Sequence, residues 1–460
     1  MKDGSVALTV VVLAAGQGKR MHSTRPKVMH LLGGKPILAH VLDTARQLKP
    51  DAIRVVYGHG AQELLAAFPQ TDLFWHLQSD QLGTGHAVAQ ALPDIPDDHQ
   101  VLVLYGDVPL VGVRALQMLV RSLEEKAFAI LTSAPDDPGG YGRIIRDQAG
   151  AVVQIIEERD ASDEERLIGE INSGLIGAHT HTLRRWLDKL ENKNAQGEYY
   201  LTDIVSMAAK EGVKVEGLKA ADSKEVQGIN DKMELAEAEK TLRHRKAVEL
   251  MTAGVSLADP ERVDVRGELS VGQDVFIDVG VVFEGNVQLG DRVHIGPYAI
   301  VSNCKLADDC VVHAHSVLES VVAGPNCEIG PFARLRPGTE LAEQVKVGNF
   351  VEVKGSEISE GSKINHLSYI GDTTIGRDAN IGAGTITCNY DGAEKHRTTI
   401  GDGAFVGSGV MLVAPVEVGE EATIGAGSVI AKDVPSGQLT VARAKQSTVK
   451  GWKRPTKPAK

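Results

Sequence analysis

IGDGAFVGSGVMLVAPVEVGEEATIGAGSVI, residues 400–430, is the stretch that decides the fold of the C-terminal half of the chain. An aliphatic residue occupies every sixth position, and a glycine or another small residue often follows it directly. Because a period of six fits neither the 3.6-residue turn of a helix nor a simple strand meander, it predicts a solenoid with one short strand and one turn per hexapeptide. The aliphatic positions are Ile400, Val406, Leu412, Val418, Ile424 and Ile430.

The same period extends back to about residue 263, so we expect the solenoid to cover most of the C-terminal half. With three faces per coil, about 180 residues make roughly ten coils, in which one aliphatic side chain per repeat points inward and stacks on its counterpart in the next coil. Chance periodicity is the alternative, and the six consecutive matches argue against it. The earlier aliphatic positions are Val265, Val271, Ile277, Leu289, Ile295, Val301, Leu335, Leu341, Val347, Val353, Ile358, Ile364 and Ile370.

The repeat is interrupted between Ile381 and Ile400, which are 19 positions apart instead of 18. The interval contains Asn389, Tyr390 and Asp391, so we expect a polar loop that projects from one corner of the solenoid. A loop on a rigid scaffold is a common place for a binding site, although a tolerated insertion would leave the same pattern. The six-residue repeat resembles that of the left-handed β-helices of hexapeptide-repeat proteins, which are usually trimers.

The N-terminal half alternates short apolar runs with segments of helical periodicity, which favours βα units and a mainly parallel sheet, that is, an α/β domain. Residues 231–253 contain neither proline nor glycine and are rich in Ala, Glu, Leu and Lys, which predicts a connecting helix. We therefore expect an α/β domain over 1–230, a helical linker over 231–253 and a β-helix domain with a basic tail over 254–460. The predicted strands include 6–13, 53–57, 101–104 and 127–133, and the predicted helices include 36–48 and 61–68.

The composition excludes several classes of protein. The 49 Lys and Arg against 61 Asp and Glu give a net charge of −12, which disfavours non-specific binding of nucleic acid. No run of about 20 apolar residues is present, so the sequence predicts no membrane span. The four cysteines, Cys304, Cys310, Cys327 and Cys388, form no CxxC pair, which disfavours a disulfide scaffold or a zinc ribbon and favours a reducing, cytoplasmic compartment.

The first chemical motif is LAAGQGKRM at 13–21, directly after a predicted strand and followed by Pro26-Lys27. Glycines in such a loop let backbone N–H groups approach phosphates, and the cations Arg20 and Lys27 would balance phosphate charge. The loop lacks the third glycine of the dinucleotide fingerprint and the GK[ST] of the P-loop, so neither of those sites is expected. The string resembles the nucleotide-binding loop of the sugar-1-phosphate nucleotidyltransferases, with Lys19 in place of the family's threonine.

A second motif, Tyr105-Gly106-Asp107, ends an apolar strand. Parallel sheets bind ligands at the carboxyl ends of their strands, and Mg²⁺ prefers oxygen ligands, so Asp107 is a candidate metal ligand; a simple turn or N-cap is the alternative. In the nucleotidyltransferases that the chain resembles, a distant asparagine completes the metal pair, and the matching residue is Asn230. The same resemblance implies that the uridine nucleotide and its sugar are bound by Leu13, Ala14, Ala15, Gly16, Lys27, Gln78, Gly83, Thr84, Tyr105, Gly106, Asp107, Gly142, Glu157, Asn172 and Asn230.

A third constellation lies on the predicted solenoid. Arg336 and Lys354 are 18 positions apart and therefore stack on one corner of adjacent coils, and His366 lies 12 positions beyond Lys354. Like charges repel, so a stacked pair of cations predicts an anionic substrate such as a sugar phosphate. Histidine titrates near pH 6.5, which suits His366 to accept the proton that an amine loses when it attacks a thioester.

Over nearly the whole chain, the motifs resemble the bifunctional N-acetylglucosamine-1-phosphate uridylyltransferase / glucosamine-1-phosphate N-acetyltransferase family of bacteria. The resemblance implies a Rossmann-like nucleotidyltransferase domain, then a left-handed parallel β-helix that transfers an acetyl group. Acetyl-CoA would acetylate glucosamine 1-phosphate, and UTP would convert the product to UDP-N-acetylglucosamine, a precursor of peptidoglycan and often of lipopolysaccharide.

The same resemblance implies a cytoplasmic homotrimer that uses Mg²⁺ on Asp107 and Asn230, with small-molecule substrates and no nucleic-acid or membrane partner. His366 would be the general base of acetyl transfer. The implied ligands of glucosamine 1-phosphate are Arg336, Lys354, Tyr369 and Asn380, and those of acetyl-CoA are Ala383, Asn389, Tyr390, Ser408, Ala426 and Arg443.

Two alternative interpretations remain at this point. The solenoid could be only an oligomerisation and regulatory scaffold of a nucleotidyltransferase, against which His366, Tyr369 and the loop at Asn389 argue. The chain could instead be a non-catalytic sensor of nucleotide sugars, against which the complete metal pair argues.

Overall fold

The computed structural model describes residues 6–16, 18–58 and 62–457. Gln17 of the glycine loop, Ala61 at the start of a predicted helix and the two ends of the chain lie outside the described residues. The chain divides into two compact units between Leu242 and Arg243. Within the described residues, no helix combines the length and the apolar composition that crossing a membrane requires.

The first unit alternates strands and helices, as the sequence pattern predicts. Its strands are β1 (Leu8–Ala14), β2 (Leu31–Leu32), β3 (Lys35–Pro36), β4 (Ala52–Tyr57), β5 (Leu73–Leu77), β6 (Gln100–Tyr105), β7 (Phe128–Ser133), β8 (Arg143–Arg146), β9 (Val152–Ile156), β10 (Ile171–His179) and β11 (Val215–Lys219). Its α-helices are α1 (Ile37–Gln47), α2 (Gln62–Ala67), α3 (Thr84–Ala91), α4 (Val113–Glu125), α5 (Asp163–Arg166), α6 (Thr180–Leu187) and α7 (Asp203–Lys210). Short 3₁₀ helices cover Lys19–Met21, Lys27–Met29, Leu92–Asp94 and Ser223–Val226.

Nine of these strands form one sheet in the order β5-β4-β1-β6-β10-β7-β11-β9-β8. The strands β5, β4, β1 and β6 pair in parallel, and β7 pairs in parallel with β11. Strand β10 runs antiparallel between β6 and β7, and β9 runs antiparallel to β8 and β11. The mainly parallel sheet is therefore confirmed, with antiparallel strands added on one side of it.

The sheet is buried on both faces. Along β1, Val10 and Val12 pack on one side with residues of α1 and α4, whereas Val11 and Leu13 pack on the other side with residues of α3, α6 and α7. A strand covered on both faces needs a continuous apolar run, which is the pattern that the sequence has here. Because Leu13 of β1 pairs with Tyr105 of β6, the loops after these two strands leave the sheet at the same edge.

Helix α8 (Lys232–Thr252) occupies the segment for which the sequence predicts a connecting helix, and the division between the two units falls within it. The carboxylate of Asp231 caps its start by accepting hydrogen bonds from the N–H groups of Met233 and Glu234, at 2.8 and 2.9 Å. Gly254 follows its end with φ of 97°, in the left-handed region that terminates helices. The domain limits given above stay a prediction.

The second unit is a solenoid of short strands, with a 3₁₀ helix at Pro260–Arg262 between its first two strands. Its strands are β12 (Ser256–Leu257), β13 (Asp264–Val271), β14 (Phe276–Ile277), β15 (Val282–Leu289), β16 (His294–Ile295), β17 (Ile300–Ser302), β18 (Lys305–Leu306), β19 (Val311–Val312), β20 (Val317–Glu319), β21 (Val321–Ala323), β22 (Glu328–Ile329), β23 (Arg334–Leu335), β24 (Thr339–Leu341), β25 (Lys346–Asn349), β26 (Glu352–Lys354), β27 (Glu357–Ile358), β28 (Lys363–His366), β29 (Tyr369–Gly371), β30 (Thr373–Ile375), β31 (Asn380–Ile381), β32 (Ile386–Cys388), β33 (Thr398–Ile400), β34 (Phe405–Val406), β35 (Met411–Val413), β36 (Val416–Val418), β37 (Thr423–Ile424), β38 (Val429–Ile430) and β39 (Leu439–Thr440).

These strands stack in three parallel ladders, one for each face of the solenoid. The first face contains β12, β14, β16, β19, β22, β25, β28, β31, β34, β37 and β39. The second face runs through β17, β20, β23, β26, β29, β32, β35 and β38, and the third through β18, β21, β24, β27, β30, β33 and β36. The long strands β13 and β15 begin both of these ladders. The three-faced parallel solenoid predicted from the six-residue period is confirmed.

Aliphatic side chains at the same place in each coil form the core of the solenoid. On the first face, these residues pair in register from coil to coil in the series Ile277, Ile295, Val312, Ile329, Val347, Ile364, Ile381, Val406 and Ile424. Glycine beside the column allows the close approach of the next coil, because a Cβ on Gly401 would lie 2.6 Å from the backbone nitrogen of Glu420.

The interruption of the repeat is larger than the sequence estimate. The sequence pattern predicts Ile400 as the stacking partner of Ile381, 19 positions earlier. In the structure, Ile400 stacks on Ile375 and Val406 stacks on Ile381, so that this coil has 25 residues. The other coils between Ile277 and Ile424 have 17 or 18 residues, whereas the first coil has 20 and the last has 16. The estimate was wrong because Ile381 and Ile400 belong to different faces of the solenoid.

We expect Leu318→Ala to lower the free energy of unfolding by about 2–5 kcal/mol, because it leaves a cavity between Val301 and Leu335 in a buried column. Val317→Ala on the same strand is the matched control, since Val317 is exposed and its loss should change the free energy by no more than about 0.5 kcal/mol. Urea unfolding followed by circular dichroism measures both variants. Equal losses for the two would contradict the inward stacking of Leu318.

Candidate active sites

The first candidate site is a cavity of about 630 Å³ at the carboxyl ends of β1 and β6. Twelve of the residues expected to bind nucleotide or phosphate line it: Leu13, Ala14, Ala15, Gly16, Arg20, Lys27, Gln78, Gly83, Thr84, Tyr105, Asp107 and Asn230. Sites of parallel sheets form at this edge because consecutive loops leave the strands there together.

The glycine loop brings its cations to this cavity through a close approach of two backbones. Gly18 has φ of 61°, and a Cβ there would lie 2.7 Å from Cβ of Lys27. Met21 is buried and donates its N–H to the carbonyl of Gly18 at 2.9 Å, which anchors the turn. Lys19 and Arg20 are exposed beside the cavity, and neither forms an ion pair with another described residue.

Asp107 and Asn230 converge on one cation. The ammonium of Lys27 contacts the carboxylate of Asp107 and donates a hydrogen bond of 3.2 Å to Oδ1 of Asn230. The side chains of Lys27 and Asp107 are only 11% and 18% exposed, so the pair is largely shielded from water. The segment that carries Asn230 is held by Ile229, whose N–H donates to the carbonyl of Asp107 at 2.9 Å.

The donor set of this convergence fits a magnesium ion. A carboxylate oxygen and an amide oxygen already lie on either side of one positive charge. Among the described residues, no group of three or more His, Cys, Asp or Glu side chains could enclose a metal. A cation with two protein oxygens and the remainder from phosphate or water is the arrangement that Mg²⁺ favours.

The loop expected to read the base is fixed by the segment around Tyr199. Gly83 has φ of 112°, and a Cβ there would lie 2.7 Å from the carbonyl oxygen of Tyr199. The N–H of Tyr199 donates to the carbonyl of Leu82 at 2.8 Å, and the N–H of Leu201 donates to Oγ1 of Thr84 at 3.0 Å. Gln78 is buried at the cavity wall and donates from Nε2 to the carbonyl of Gly83 at 3.1 Å. These contacts within the protein hold the loop in place.

Four of the expected residues, Gly106, Gly142, Glu157 and Asn172, do not line this cavity. They lie around Tyr105, which does line it. Glu157 accepts a hydrogen bond of 2.8 Å from Oγ1 of Thr202, and burial raises the pKa of its carboxyl above the usual value.

Two backbone contacts join this group to the edge of the cavity. The N–H of Asn172 donates to the carbonyl of Gly142 at 2.8 Å, and the N–H of Gly106 donates to the carbonyl of Leu13 at 2.9 Å. Burial, with the Glu157 charge nearby, raises the pKa of Tyr105 above its usual value, so its hydroxyl stays protonated. The four residues thus form a layer behind the cavity wall.

Seven further described residues line the cavity, and two of them, Gly18 and Lys19, belong to the predicted nucleotide-binding loop at 13–21. The seven are Gly18, Lys19, Val28, Gln81, Ala87, Gln196 and Glu198. Gln81 lines the cavity and donates a hydrogen bond from Nε2 to the carbonyl of Ala15. The two residues are 66 positions apart, so no local sequence pattern predicts this contact. Gln196 and Glu198 belong to the string QGEYYLTD at 196–203, which was a usable signal.

The second candidate site lies on the solenoid around His366. This residue ends β28 and is exposed, so its ring does not point into the aliphatic core. Its Nδ1 is 2.7 Å from Oδ1 of Asn349, its partner on β25. Asn380 lies on the same face of the solenoid, on β31 of the next coil.

The cations predicted to bind a sugar phosphate lie on the second face. Leu335 pairs with Val353, so Arg336 and Lys354 directly follow the two halves of one in-register pair. Tyr369 pairs with Glu352 in the next coil, and Glu352 forms an ion pair of 2.9 Å with Arg336.

The long loop of the 25-residue coil adds a third cation to this group. The nearby ammonium of Lys395 lowers the pKa of Lys354, with a smaller contribution from Arg336. Lys395 was not predicted, because its approach depends on a bridge between Lys395 and Tyr390 within the loop. Asn389 anchors the loop by donating from Nδ2 to the carboxylate of Asp372 at 2.5 Å. Three cations on one surface favour an anionic ligand.

Four of the six residues expected to hold acetyl-CoA form a column along one corner, whereas Asn389 and Tyr390 lie on the loop that follows β32. The carbonyl of Ala383 accepts the N–H of Gly409 at 2.7 Å, and the carbonyl of Ser408 accepts the N–H of Gly427 at 2.8 Å. The guanidinium of Arg443 donates to the carbonyl of Ala426, the next residue in the column. Small side chains at consecutive corners leave room for an elongated ligand alongside.

Three protein families match parts of the chain. The family described as a MobA-like NTP transferase domain matches residues 10–197. The family described as the GMPPB C-terminal domain matches residues 265–356, and the bacterial transferase hexapeptide family, with six repeats, matches residues 397–432. The hexapeptide match agrees with the left-handed parallel β-helix expected for the second unit.

Curated relatives match the chain from end to end. A protein of Alkalilimnicola ehrlichii named Bifunctional protein GlmU is 55% identical over 449 residues, which are 98% of this chain and 97% of the relative. Proteins of the same name from Marinobacter nauticus and Chromobacterium violaceum are 54% and 53% identical over 98% of this chain and 99% of each relative.

We expect Gly83→Ala to abolish nucleotide binding in the first cavity, because the new Cβ would be strained at φ of 112° and would collide with Tyr199. Gly169→Ala is the control, since a Cβ there meets nothing within 4 Å. Isothermal titration with UTP and Mg²⁺ measures binding, and circular dichroism checks that both variants fold. Tight binding by Gly83→Ala would show that the loop does not form the site.

Proposed function

This chain belongs to the family of bifunctional GlmU proteins, and we propose how its residues divide the two reactions between two sites. The protein is a bifunctional transferase that makes UDP-N-acetylglucosamine. It transfers the acetyl group of acetyl-CoA to glucosamine 1-phosphate and the uridylyl group of UTP to N-acetylglucosamine 1-phosphate, with release of pyrophosphate. The observation that carries this function is identity of 55% over 98% of the chain, which spans both candidate sites.

For uridylyl transfer, we place the reaction in the cavity of the first unit. A phosphate oxygen of the sugar 1-phosphate attacks the α-phosphorus of UTP, and the bond from that phosphorus to the pyrophosphate oxygen breaks. Two anions must approach each other, so neutralisation of charge dominates the barrier. Arg20 and Lys27 at the cavity supply that neutralisation, and no protein nucleophile is needed.

Base and sugar are held by the two layers of the site. Gln78, Gly83 and Thr84 hold the base. The hydrogen bonds that fix their loop at the cavity support this assignment. Gly142, Glu157 and Asn172 hold the sugar of the product from their place around Tyr105. Leu13, Ala14, Ala15 and Gly16 offer backbone N–H groups to the phosphates.

Asp107 and Asn230 would hold Mg²⁺, as the convergence of their oxygens on the Lys27 ammonium supports. The bound ion supplies positive charge to the phosphate oxygens. Lys27 keeps the two oxygen ligands together in the absence of the ion and can turn its charge toward the substrate.

For acetyl transfer, we place the reaction on the solenoid at His366. The amine nitrogen of glucosamine 1-phosphate attacks the thioester carbon of acetyl-CoA, a C–N bond forms, the C–S bond breaks and the sulfur leaves with its electron pair. The imidazole of His366 accepts the proton that the amine loses. Arg336 and Lys354 bind the phosphate, as their stacking on adjacent coils supports.

The remaining side chains of the acetyl-transfer site bind the two substrates. Tyr369 and Asn380 complete the contacts with the sugar. Acetyl-CoA lies along the corner column, where its ligands are Ala383, Ser408, Ala426 and Arg443, and Asn389 and Tyr390 bind it from the loop that follows β32. The small residues of that column and the exposed side chain of Tyr390 support this placement.

We assign uridylyl transfer to residues 1–230 and acetyl transfer to residues 254–460, with 231–253 as the linker.

We also propose that the protein works as a homotrimer in the cytoplasm, with no nucleic-acid or membrane partner. Four stacked rings with centroids 5.0–5.3 Å apart follow one corner of the solenoid, and this exposed apolar ridge supports burial against a second copy. The rings belong to Tyr298, His315, Phe332 and Phe350. The four unpaired cysteines support a reducing compartment.

We expect Asp107→Ala to reduce uridylyl transfer by about 10²-fold or more, because the carboxylate that would hold Mg²⁺ beside the transferring phosphate is lost. Acetyl transfer by the same preparation should stay at the wild-type rate. Pyrophosphate release and thiol release measure the two reactions separately, and Asp136→Ala, at an exposed position, is the matched control. Unchanged pyrophosphate release by Asp107→Ala would remove Asp107 from the mechanism.

The reciprocal experiment uses His366→Ala. Its acetyl transfer should fall by about 10²–10⁴-fold while uridylyl transfer is retained, because the substitution removes only the proton acceptor of acetyl transfer. His313→Ala, which removes another imidazole of the solenoid, should leave both reactions unchanged. A wild-type protein that releases no thiol from acetyl-CoA and glucosamine 1-phosphate would instead support a solenoid that is only a scaffold.

A further inference from the structure

We propose that Asn349 is a positioning residue that fixes the orientation and the tautomer of the His366 imidazole. This inference rests on the role of His366 proposed above. The two residues pair across adjacent coils in the parallel strands β25 and β28. The distance between Nδ1 of His366 and Oδ1 of Asn349 is 2.7 Å, which is a short hydrogen bond.

Both backbones are fixed where this bond forms. The carbonyl of His366 accepts hydrogen bonds from Oγ of Ser368 at 2.9 Å and from the N–H of Gly384 at 3.3 Å. The carbonyl of Asn349 accepts the N–H of Leu367 at 3.0 Å. The ring is exposed and would rotate freely without a side-chain partner, so the amide of Asn349 is what selects its direction.

The identity of the contacting atom decides the tautomer. An amide oxygen only accepts hydrogen bonds, so Nδ1 of His366 carries the hydrogen in this pair. A neutral imidazole then has its lone pair on Nε2. Among the described residues, Nε2 of His366 has no hydrogen-bond partner, which leaves that lone pair available to the amine of the substrate.

The neutral partner distinguishes His366 from two other imidazoles of the solenoid. His313 faces the carboxylate of Glu328 at 3.0 Å, and His396 faces the carboxylate of Asp391 at 2.7 Å. A carboxylate favours the protonated ring, whereas an amide orients the ring without adding charge. A general base must begin the reaction unprotonated, so an asparagine suits this position better than an aspartate or glutamate would.

The test compares Asn349→Ala with Asn349→Asp in the acetyl-transfer assay of the full-length protein. Asn349→Ala removes the acceptor, and we expect kcat to fall by about 10- to 100-fold, less than the loss of the base itself. KM for glucosamine 1-phosphate and for acetyl-CoA should change by less than about threefold, because Asn349 is not among the residues that we assign to either substrate. Asn349→Asp keeps an acceptor at the same place but adds a charge that favours the protonated ring, so we expect kcat to return to within about threefold of the wild type at alkaline pH and to decline at a higher pH than in the wild type as the pH is lowered.

A double variant separates this role from a general effect on structure. If Asn349 acts through His366, the variant with both His366→Ala and Asn349→Ala should be no slower than His366→Ala alone. Uridylyl transfer and thermal stability of all variants should match the wild type. Glu328→Ala, which removes the acceptor facing His313, is the control and should not change kcat.

Each outcome bears on the proposal. Wild-type kcat in Asn349→Ala, an Asn349→Asp variant that is as slow as Asn349→Ala even at alkaline pH, or a further loss in the double variant would each overturn the positioning role. Wild-type kcat in His366→Ala would overturn both this role and the proposed general base. A low kcat in His366→Ala together with wild-type kcat in Asn349→Ala would overturn only the positioning role and leave the proposed general base intact.

Discussion

The register of parallel strands is the constraint on which both candidate sites depend. In the first unit, the pairing of Leu13 with Tyr105 brings the glycine loop and the segment of Asp107 to the same edge of the sheet. In the second unit, the pairing of Leu335 with Val353 stacks two cations, and the pairing of Asn349 with His366 joins an amide to an imidazole. The register of these parallel strands is fixed because a shift by one residue would move their buried aliphatic side chains out of the core.

Both candidate sites also hold cations close to other charged groups, the first beside an anion and the second beside other cations. In the first site, the cost of a shielded Asp107 carboxylate is offset by the ammonium of Lys27, so the charge of the site is balanced before a substrate arrives. In the second site, Lys395 and Arg336 lower the pKa of Lys354, because like charges that lie close together repel. The phosphate proposed to bind there would relieve that repulsion.

The sequence predicted most of the architecture because each fold repeats a simple pattern. One aliphatic residue in six revealed the solenoid, and continuous apolar runs revealed a doubly covered sheet. The size of the interrupted coil could not be obtained, because the sequence does not show to which face Ile381 and Ile400 belong. Gln81 and Lys395 were missed for a related reason, since their contacts join segments whose approach depends on the whole fold. Asn349 was not predicted as the partner of His366, because residues that stack in coils of 17, 18 and 25 residues cannot be found with one fixed spacing.

A crystal structure of the protein with glucosamine 1-phosphate and coenzyme A is the most direct test of the claim that strand register builds the acetyl-transfer site. We expect the phosphate on Arg336 and Lys354 and the amine nitrogen within about 3.2 Å of Nε2 of His366. Nδ1 of His366 should remain on Asn349 in that complex. A sugar phosphate bound away from the two stacked cations, or an imidazole that turns Nδ1 toward the amine, would contradict it.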